Sequence, residues 1–165
     1  MTATDDLLDN ARRYAAGFTC GDLGRAPARR VAVVTCMDAR IDPARLLGLT
    51  EGDAHVIRNA GGVVTPDVIR SLAASQWLLA TEEVVLIQHT DCGVLTSSDT
   101  AFREQVRRET GHEIAPGVEP SGDVDTDVAR SIAAVRSSAV LPHRDGVRGF
   151  VYDVGDGSLR EVRPH

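Results

Sequence analysis

Val31-Ala32-Val33-Val34-Thr35-Cys36-Met37-Asp38-Ala39-Arg40 reads as a buried strand that ends on a thiol and runs into a charged turn. The run is β-branched and short, as a strand of a parallel sheet should be. Val84-Val85-Leu86-Ile87-Gln88-His89-Thr90-Asp91-Cys92 repeats the arrangement, an apolar run ending on an imidazole and a second thiol. Two strands can therefore deliver Cys36, His89 and Cys92 to one point. Two Cys and one His are good zinc ligands, and three is the ligand count of a catalytic zinc site that keeps a fourth position open. His89-x-x-Cys92 is short enough for one turn to aim both side chains at one ion, whereas Cys36 must come from a separate strand.

Working outward, helical and extended segments alternate. Residues 4–17 read as a first helix with Thr4 as cap and an apolar stripe starting at Leu7, Leu8 and Ala11. Residues 20–28 form a connector. Asp42-Pro43 starts a short helix that stops before Gly48, and Thr65-Pro66-Asp67 starts another that runs to about residue 80. Residues 55–59 and 84–88 are strands. Residues 99–110 read as a helix capped by Asp99 and stopped by Gly111, residues 111–123 as a loop, and residues 125–141 as a further helix. Residues 147–154 form a strand, and Gly155-Asp156-Gly157 turns it into a last strand over 159–162. The expected fold class is α/β, a mainly parallel sheet with one antiparallel edge strand, flanked by helices. In such sheets ligand sites lie at the carboxyl ends of the strands, where Cys36 and His89 fall.

The 165-residue length suits one domain with a single core. Only six residues are aromatic, so that core is built from Val, Leu, Ile and Ala. A net charge of -6 opposes a nucleic-acid-binding role, which needs a basic face. All 18 basic side chains are Arg, which excludes a Schiff-base or P-loop lysine. The first residues carry neither a basic segment nor an apolar one, and no run reaches membrane-spanning length. Three Cys are too few for a disulfide scaffold and suit thiols or metal ligands in a reducing compartment, so a cytoplasmic location is expected.

Asp38 and Arg40 follow Cys36 at alternate positions. In an irregular turn this spacing brings a carboxylate beside the metal and a guanidinium beside the carboxylate. The carboxylate can accept a hydrogen bond from a nucleophile on the zinc, or bind zinc itself and block the open position. Asp91, between two ligands, either supports the site or is merely solvated. Gly61 and Gly62, after Arg58-Asn59-Ala60, suit either a close backbone approach beside a small-substrate pocket or an ordinary tight turn. Cys20 has no partner at ligand spacing, and His55, His112, His143 and His165 are scattered. No nucleotide-binding glycine motif is present. A Cys-His nucleophile would leave the second Cys unexplained.

Cys36-x-Asp38-x-Arg40, Arg58-Asn59-Ala60-Gly61 and His89-Thr90-x-Cys92-Gly93, in that order, resemble the β-class carbonic anhydrases, in particular their short prokaryotic branch. The resemblance runs from about residue 30 to 110. It implies strand order 2-1-3-4, zinc on Cys36, His89 and Cys92, and Asp38 with Arg40 as a catalytic dyad. Asp38 would be a fourth ligand only in a closed state. The implied reaction is reversible hydration of carbon dioxide to bicarbonate and a proton. The resemblance further implies a homodimer, with higher homo-oligomers open, in which residues 1–28 pack on the partner of a single 1–165 domain. Members with an inhibitory bicarbonate site carry Trp where Val33 stands, so that site is not carried over. Two alternatives share the ligands: a carbon disulfide or carbonyl sulfide hydrolase, and a non-catalytic zinc or redox-sensing module. The presence of both Asp38 and Arg40 argues against the latter.

Overall fold

The computed structural model describes residues 2–95 and 98–163. In chain order its elements are α1 (Ala3–Ala16), β1 (Val31–Cys36), α2 (Pro43–Leu47), β2 (Ala54–Asn59), α3 (Pro66–Leu79), β3 (Glu83–His89), α4 (Asp99–Thr110), α5 (Val124–Ser137), β4 (Val147–Tyr152) and β5 (Leu159–Val162). One sheet runs β2-β1-β3-β4-β5. The first four strands are parallel and β5 is antiparallel to β4. The α/β architecture and the antiparallel edge expected from the sequence are thus present.

Local chemistry sets the helix ends. Asp42 accepts hydrogen bonds from the Ala44 and Arg45 amides, Pro43 occupies the first turn, and Gly48 closes α2 at φ 63°. Thr65 caps α3 through the Val68 amide. Four expectations need correction. Thr2, not Thr4, caps α1, because Thr2 and Asp5 exchange a reciprocal pair of bonds. A box from Thr4 would place Leu7 where an acid is needed. Ser98, not Asp99, caps α4; the Asp99 carboxylate instead accepts from the Gly117 amide at 3.0 Å. α5 ends at Ser137, short of residue 141: Ser138 takes extended backbone at φ -75°, ψ 110°, and Pro142 disfavours helical backbone at Leu141, so the helix does not resume. Likewise β4 stops at Tyr152 rather than residue 154, where Asp153 and Ser158 close the turn into β5.

The core joins Ala32 and Val34 of β1 and Val84 and Leu86 of β3 to Leu72 of α3 and Val128 and Ile132 of α5. Burying each of these Val, Leu and Ile side chains stabilises the fold by about 1.5–3 kcal/mol. α5 lies so close to β4 that a Cβ on Gly149 would stand 2.5 Å from Val128 Cγ1. α1 is different: none of its residues is buried, and Leu7 and Leu8 are 66% and 51% exposed. It is tethered through the Tyr14 hydroxyl, which donates to Glu51.

Because β1 to β4 are parallel, Cys36, Asn59, His89 and Tyr152 end their strands at one edge of the sheet. Cys36 stands beside Asn59, and His89 beside Tyr152. That edge carries the site.

Candidate metal centre

Past Cys36 the chain leaves the sheet in a turn held from several sides. The Met37 amide still donates to Asn59 O at 2.9 Å. Arg58 donates from Nε to Cys36 O at 2.9 Å and from Nη2 to Asp38 O at 2.8 Å. The Arg40 amide donates to Asp38 Oδ1 at 2.8 Å. Past His89, the Thr90 amide donates to Tyr152 O at 3.0 Å, and Thr90 Oγ1 accepts from the Val154 amide at 3.1 Å. Asp91, at φ 52°, turns the chain back so that Cys92 faces the sheet edge; Asp is among the few non-glycine residues that tolerate this backbone.

These turns bring Cys36, His89 and Cys92 together, buried, with donor atoms all within 4.8 Å of one another. Among the described residues no other group of His, Cys, Asp and Glu is so arranged. Two observations test whether a metal fits. The Cys36 and Cys92 sulfurs are 3.9 Å apart, and two thiolates about 2.3 Å from a tetrahedral zinc would be about 3.8 Å apart. His89 Nδ1 donates to Thr90 O at 2.9 Å, while Nε2 is buried and has no partner. The bond at Nδ1 selects the tautomer whose Nε2 lone pair is free for a cation. Zinc therefore fits this donor set.

Electrostatics point the same way. Burial lowers the pKa of His89, which keeps the imidazole neutral and able to donate to a metal. Burial pushes the Cys92 thiol up, and the neighbouring Cys36 adds to this. A divalent cation between the sulfurs is what makes two adjacent thiolates tolerable. Beside the cluster, Asp38 Oδ2 lies 3.8 Å from His89 Nε2. Arg40 holds that carboxylate by a fork, Nε to Oδ1 at 3.0 Å and Nη2 to Oδ2 at 2.8 Å. The fork and the Arg40 amide hold the Asp38 carboxyl well below the usual carboxylate range.

The glycine pair meets both descriptions left open by the sequence. Gly61 and Gly62 have φ of 84° and 64°, and a Cβ on Gly62 would lie 2.7 Å from the Cys36 amide nitrogen and 3.0 Å from Ile87 O. The turn is thus pressed onto the ends of β1 and β3, where only glycine fits. Beyond it opens a cavity of about 640 Å³, lined mostly by apolar groups that include Met37, Ala60, Val63, Leu95 and Phe102.

Residues 31–159 match the family model described as Carbonic anhydrase. The chain is 49% identical to β-carbonic anhydrase 1 of Mycobacterium tuberculosis over 164 residues, 99% of this chain and 100% of that one. The chain belongs to the β-carbonic anhydrase family. The crystal structure of a Streptococcus mutans carbonic anhydrase superposes with a TM-score of 0.87 at 39% identity, covering 99% of both chains. A carbon disulfide hydrolase of Acidithiobacillus thiooxidans is 33% identical over 157 residues, 83% of this chain and 78% of that one.

Within this β-carbonic anhydrase fold the sequence-derived residues separate cleanly. Cys36, His89, Cys92, Asp38 and Arg40 converge. Cys20 does not: it lies half-buried beside Glu51, whose hydrogen bond pushes the thiol up. His55 bonds Ser75 Oγ at 2.7 Å, the His143 backbone pairs with Gln76, and His112 is exposed. His165 lies outside the described residues. Sequence reasoning had no role for Arg58 beyond motif membership, since its partners are backbone carbonyls that no side-chain pattern reveals. The cavity wall from Ile114 to Pro120 was equally hidden, because it comes from a loop remote in sequence.

Proposed function

We propose that this chain catalyses the reversible hydration of carbon dioxide to bicarbonate and a proton, with zinc held by Cys36 Sγ, His89 Nε2 and Cys92 Sγ. The observation that carries the reading is the Asp38 carboxylate beside the three donors, held ionised by Arg40. A purely structural zinc site has no use for such a pair. When bound, zinc supplies Lewis acidity, which makes water acidic enough, at a pKa of about 7, to act as a nucleophile in neutral solution.

The chain's residues do the rest. Cys36, His89 and Cys92 would hold the metal, and the Asp38 carboxylate lies beside them, with Oδ2 3.8 Å from His89 Nε2. The Asp38 carboxylate, an acceptor only, takes a hydrogen bond from the nucleophile and so aims its lone pair at the carbon. Arg40 fixes both carboxylate oxygens, and Arg58 fixes the carbonyls of Cys36 and Asp38 on either side of Met37. The apolar wall of Met37, Ala60, Val63 and Leu95 suits an uncharged substrate. Asp38 is too acidic to store the released proton, which passes to water or buffer. Stopped-flow hydration of carbon dioxide by metal-quantified protein tests the reading; zinc-loaded protein without activity would refute it.

A second reading, hydrolysis of carbon disulfide or carbonyl sulfide at the same site, is favoured by the apolar cavity and by the 33% identity to a carbon disulfide hydrolase. The 49% identity to a β-carbonic anhydrase over nearly the whole chain favours carbon dioxide. Rates on the three substrates, measured on one preparation, decide between them.

The chain is further proposed to act as one domain over residues 1–165 and as a homodimer whose 1–28 segment packs on the partner. The exposed Leu7 and Leu8 of an α1 with no buried residue support this. The free Cys36 and Cys92 thiols suit a reducing compartment, and the cytoplasm is the proposed location. Neither a nucleic acid nor a membrane is a proposed partner: the net charge is -6, and no described helix is long and apolar enough to cross a bilayer.

A further inference from the structure

We infer that Asp91 is a positioning residue that anchors Arg40 to the metal-binding turn and thereby keeps Asp38 off the fourth metal position; this rests on the metal reading above. Arg40 does not hold Asp38 alone. Its Nη1 donates to Asp91 Oδ2 at 2.9 Å, and its Nη2 donates to the Asp91 carbonyl at 2.8 Å as well as to Asp38. With Nε on Asp38 Oδ1, four of the five guanidinium N–H groups are directed at two residues. One plane of the guanidinium therefore bridges the turn after β1 to the turn after β3.

This bridge has a consequence for the metal centre. Asp91 lies between His89 and Cys92, so the segment that supplies two of the three donors also supplies the second anchor of Arg40. With the Asp91 carboxylate removed, the guanidinium keeps only the fork to Asp38 and one carbonyl, and can swing with its partner. Asp38 Oδ2, already 3.8 Å from His89 Nε2, then has a short path to the metal. The Asp91 side chain is 74% exposed and that of Arg40 46%. An ion pair so exposed contributes little to stability. The effect of losing it is therefore on where the dyad points, and appears in kcat and coordination rather than in unfolding.

The left-handed backbone of Asp91 supplies the control. Glycine and asparagine both adopt it, so neither substitution strains the turn. Asparagine keeps an oxygen that accepts from Arg40 Nη1; glycine keeps only the backbone carbonyl. If Asp91 were needed for its backbone alone, all three residues would serve equally.

The test uses full-length protein, Asp91→Gly and Asp91→Asn beside wild type, each with zinc quantified. Zinc content is expected to be unchanged, and kcat for hydration to fall by about tenfold in Asp91→Gly, within the range for outer partners of metal sites, with Asp91→Asn between. Crystals of Asp91→Gly, zinc-loaded and metal-free, are expected to show the Arg40 guanidinium displaced, with an Asp38 oxygen on the zinc in the loaded form. A kcat loss below about threefold in Asp91→Gly overturns the inference, as does a metal-free crystal of that variant with the Arg40 guanidinium and Asp38 undisplaced from their wild-type positions. Wild-type protein that binds no zinc would refute the metal reading itself, while the Arg40 position in metal-free crystals still reports on Asp91.

Discussion

Asp38 Oδ2 lies 3.8 Å from His89 Nε2 while Arg40 grips both oxygens of the same carboxylate. Nitrogen and oxygen ligands of one tetrahedral zinc would be about 3.3 Å apart. The carboxylate is thus one small rotation from coordination, and the fork is what restrains it. At pH 7.5 the wild-type site is expected to be open, with Asp38 on Arg40.

Arg40→Ala therefore should retain zinc and lose activity, by about 10–100-fold. The half-exposed guanidinium contributes little to unfolding stability, so the melting temperature should change little. A crystal of the variant should show Asp38 on the metal. Full activity in Arg40→Ala would show that Asp38 needs no restraint from Arg40.

Cys92→Ser should lose most of its zinc, whereas Cys20→Ser should keep it, since Cys20 lies outside the donor cluster. The same pair predicts a thermal signature. Added zinc stabilises only a protein that binds it when folded, so chelation should lower the melting temperature of wild type and Cys20→Ser and leave Cys92→Ser unmoved. Elemental analysis and a melting scan with chelator check both.

Gly62→Ala should destabilise the fold and weaken metal binding together. Its φ of 64° opposes any side chain, and its Cβ would press on the Cys36 amide and Ile87 carbonyl, which are backbone and cannot rotate away. A cost above about 1 kcal/mol in urea unfolding is expected. Because the displaced backbone is that of Cys36, a proposed zinc ligand, zinc affinity should fall as well. Unchanged affinity alongside lost stability would separate the turn from the site.

What the sequence revealed follows from how local the cause was. β1 is legible because a β-branched run needs no distant partner to be recognised, and Asp42-Pro43 and Thr65-Pro66 because a cap and a fixed φ act within one turn. Thr2 was overlooked beside Thr4 because the choice depends on which threonine finds an acid three residues on. The length of α5 was overestimated because apolar spacing continues to Leu141, and only Pro142 says that the backbone does not. In the site, Cys36, His89 and Cys92 stand out because metal chemistry restricts residue type. Arg58 does not, because its partners are backbone carbonyls 20 or more residues away; Asp91 is flagged by its place between two donors, but its partner Arg40 is not legible, because it lies 51 residues away.

Raising the pH should loosen α1 before the sheet melts. The Glu51 hydrogen bond pushes the Tyr14 hydroxyl up to about 12. A folded pKa above the ordinary value near 10 means that the tether contributes fully below pH 10 and is lost as pH passes 12. Absorbance at the phenolate band should show one tyrosine titrating late, and Glu51→Gln should bring it back toward its ordinary value. A phenolate titration that Glu51→Gln leaves unmoved would discount the tether.

The proposed dimer is tested most directly on α1. Leu7 and Leu8 contribute nothing to the protomer core, since α1 has no buried residue. Replacing both with Asp should therefore change protomer stability little, within about 0.5 kcal/mol for each exposed site. In a dimer that covers them, the same change places two charges in an apolar contact, where each is costly unless paired. Leu7→Asp/Leu8→Asp should sediment as a folded monomer at concentrations where the wild type sediments as a dimer. Its hydration rate should fall if the cavity beside Met37 and Leu95 is completed by the partner, and should hold if the protomer suffices. A double variant that stays dimeric would move the interface away from α1, and a fully active wild-type monomer would remove the dimer from the mechanism.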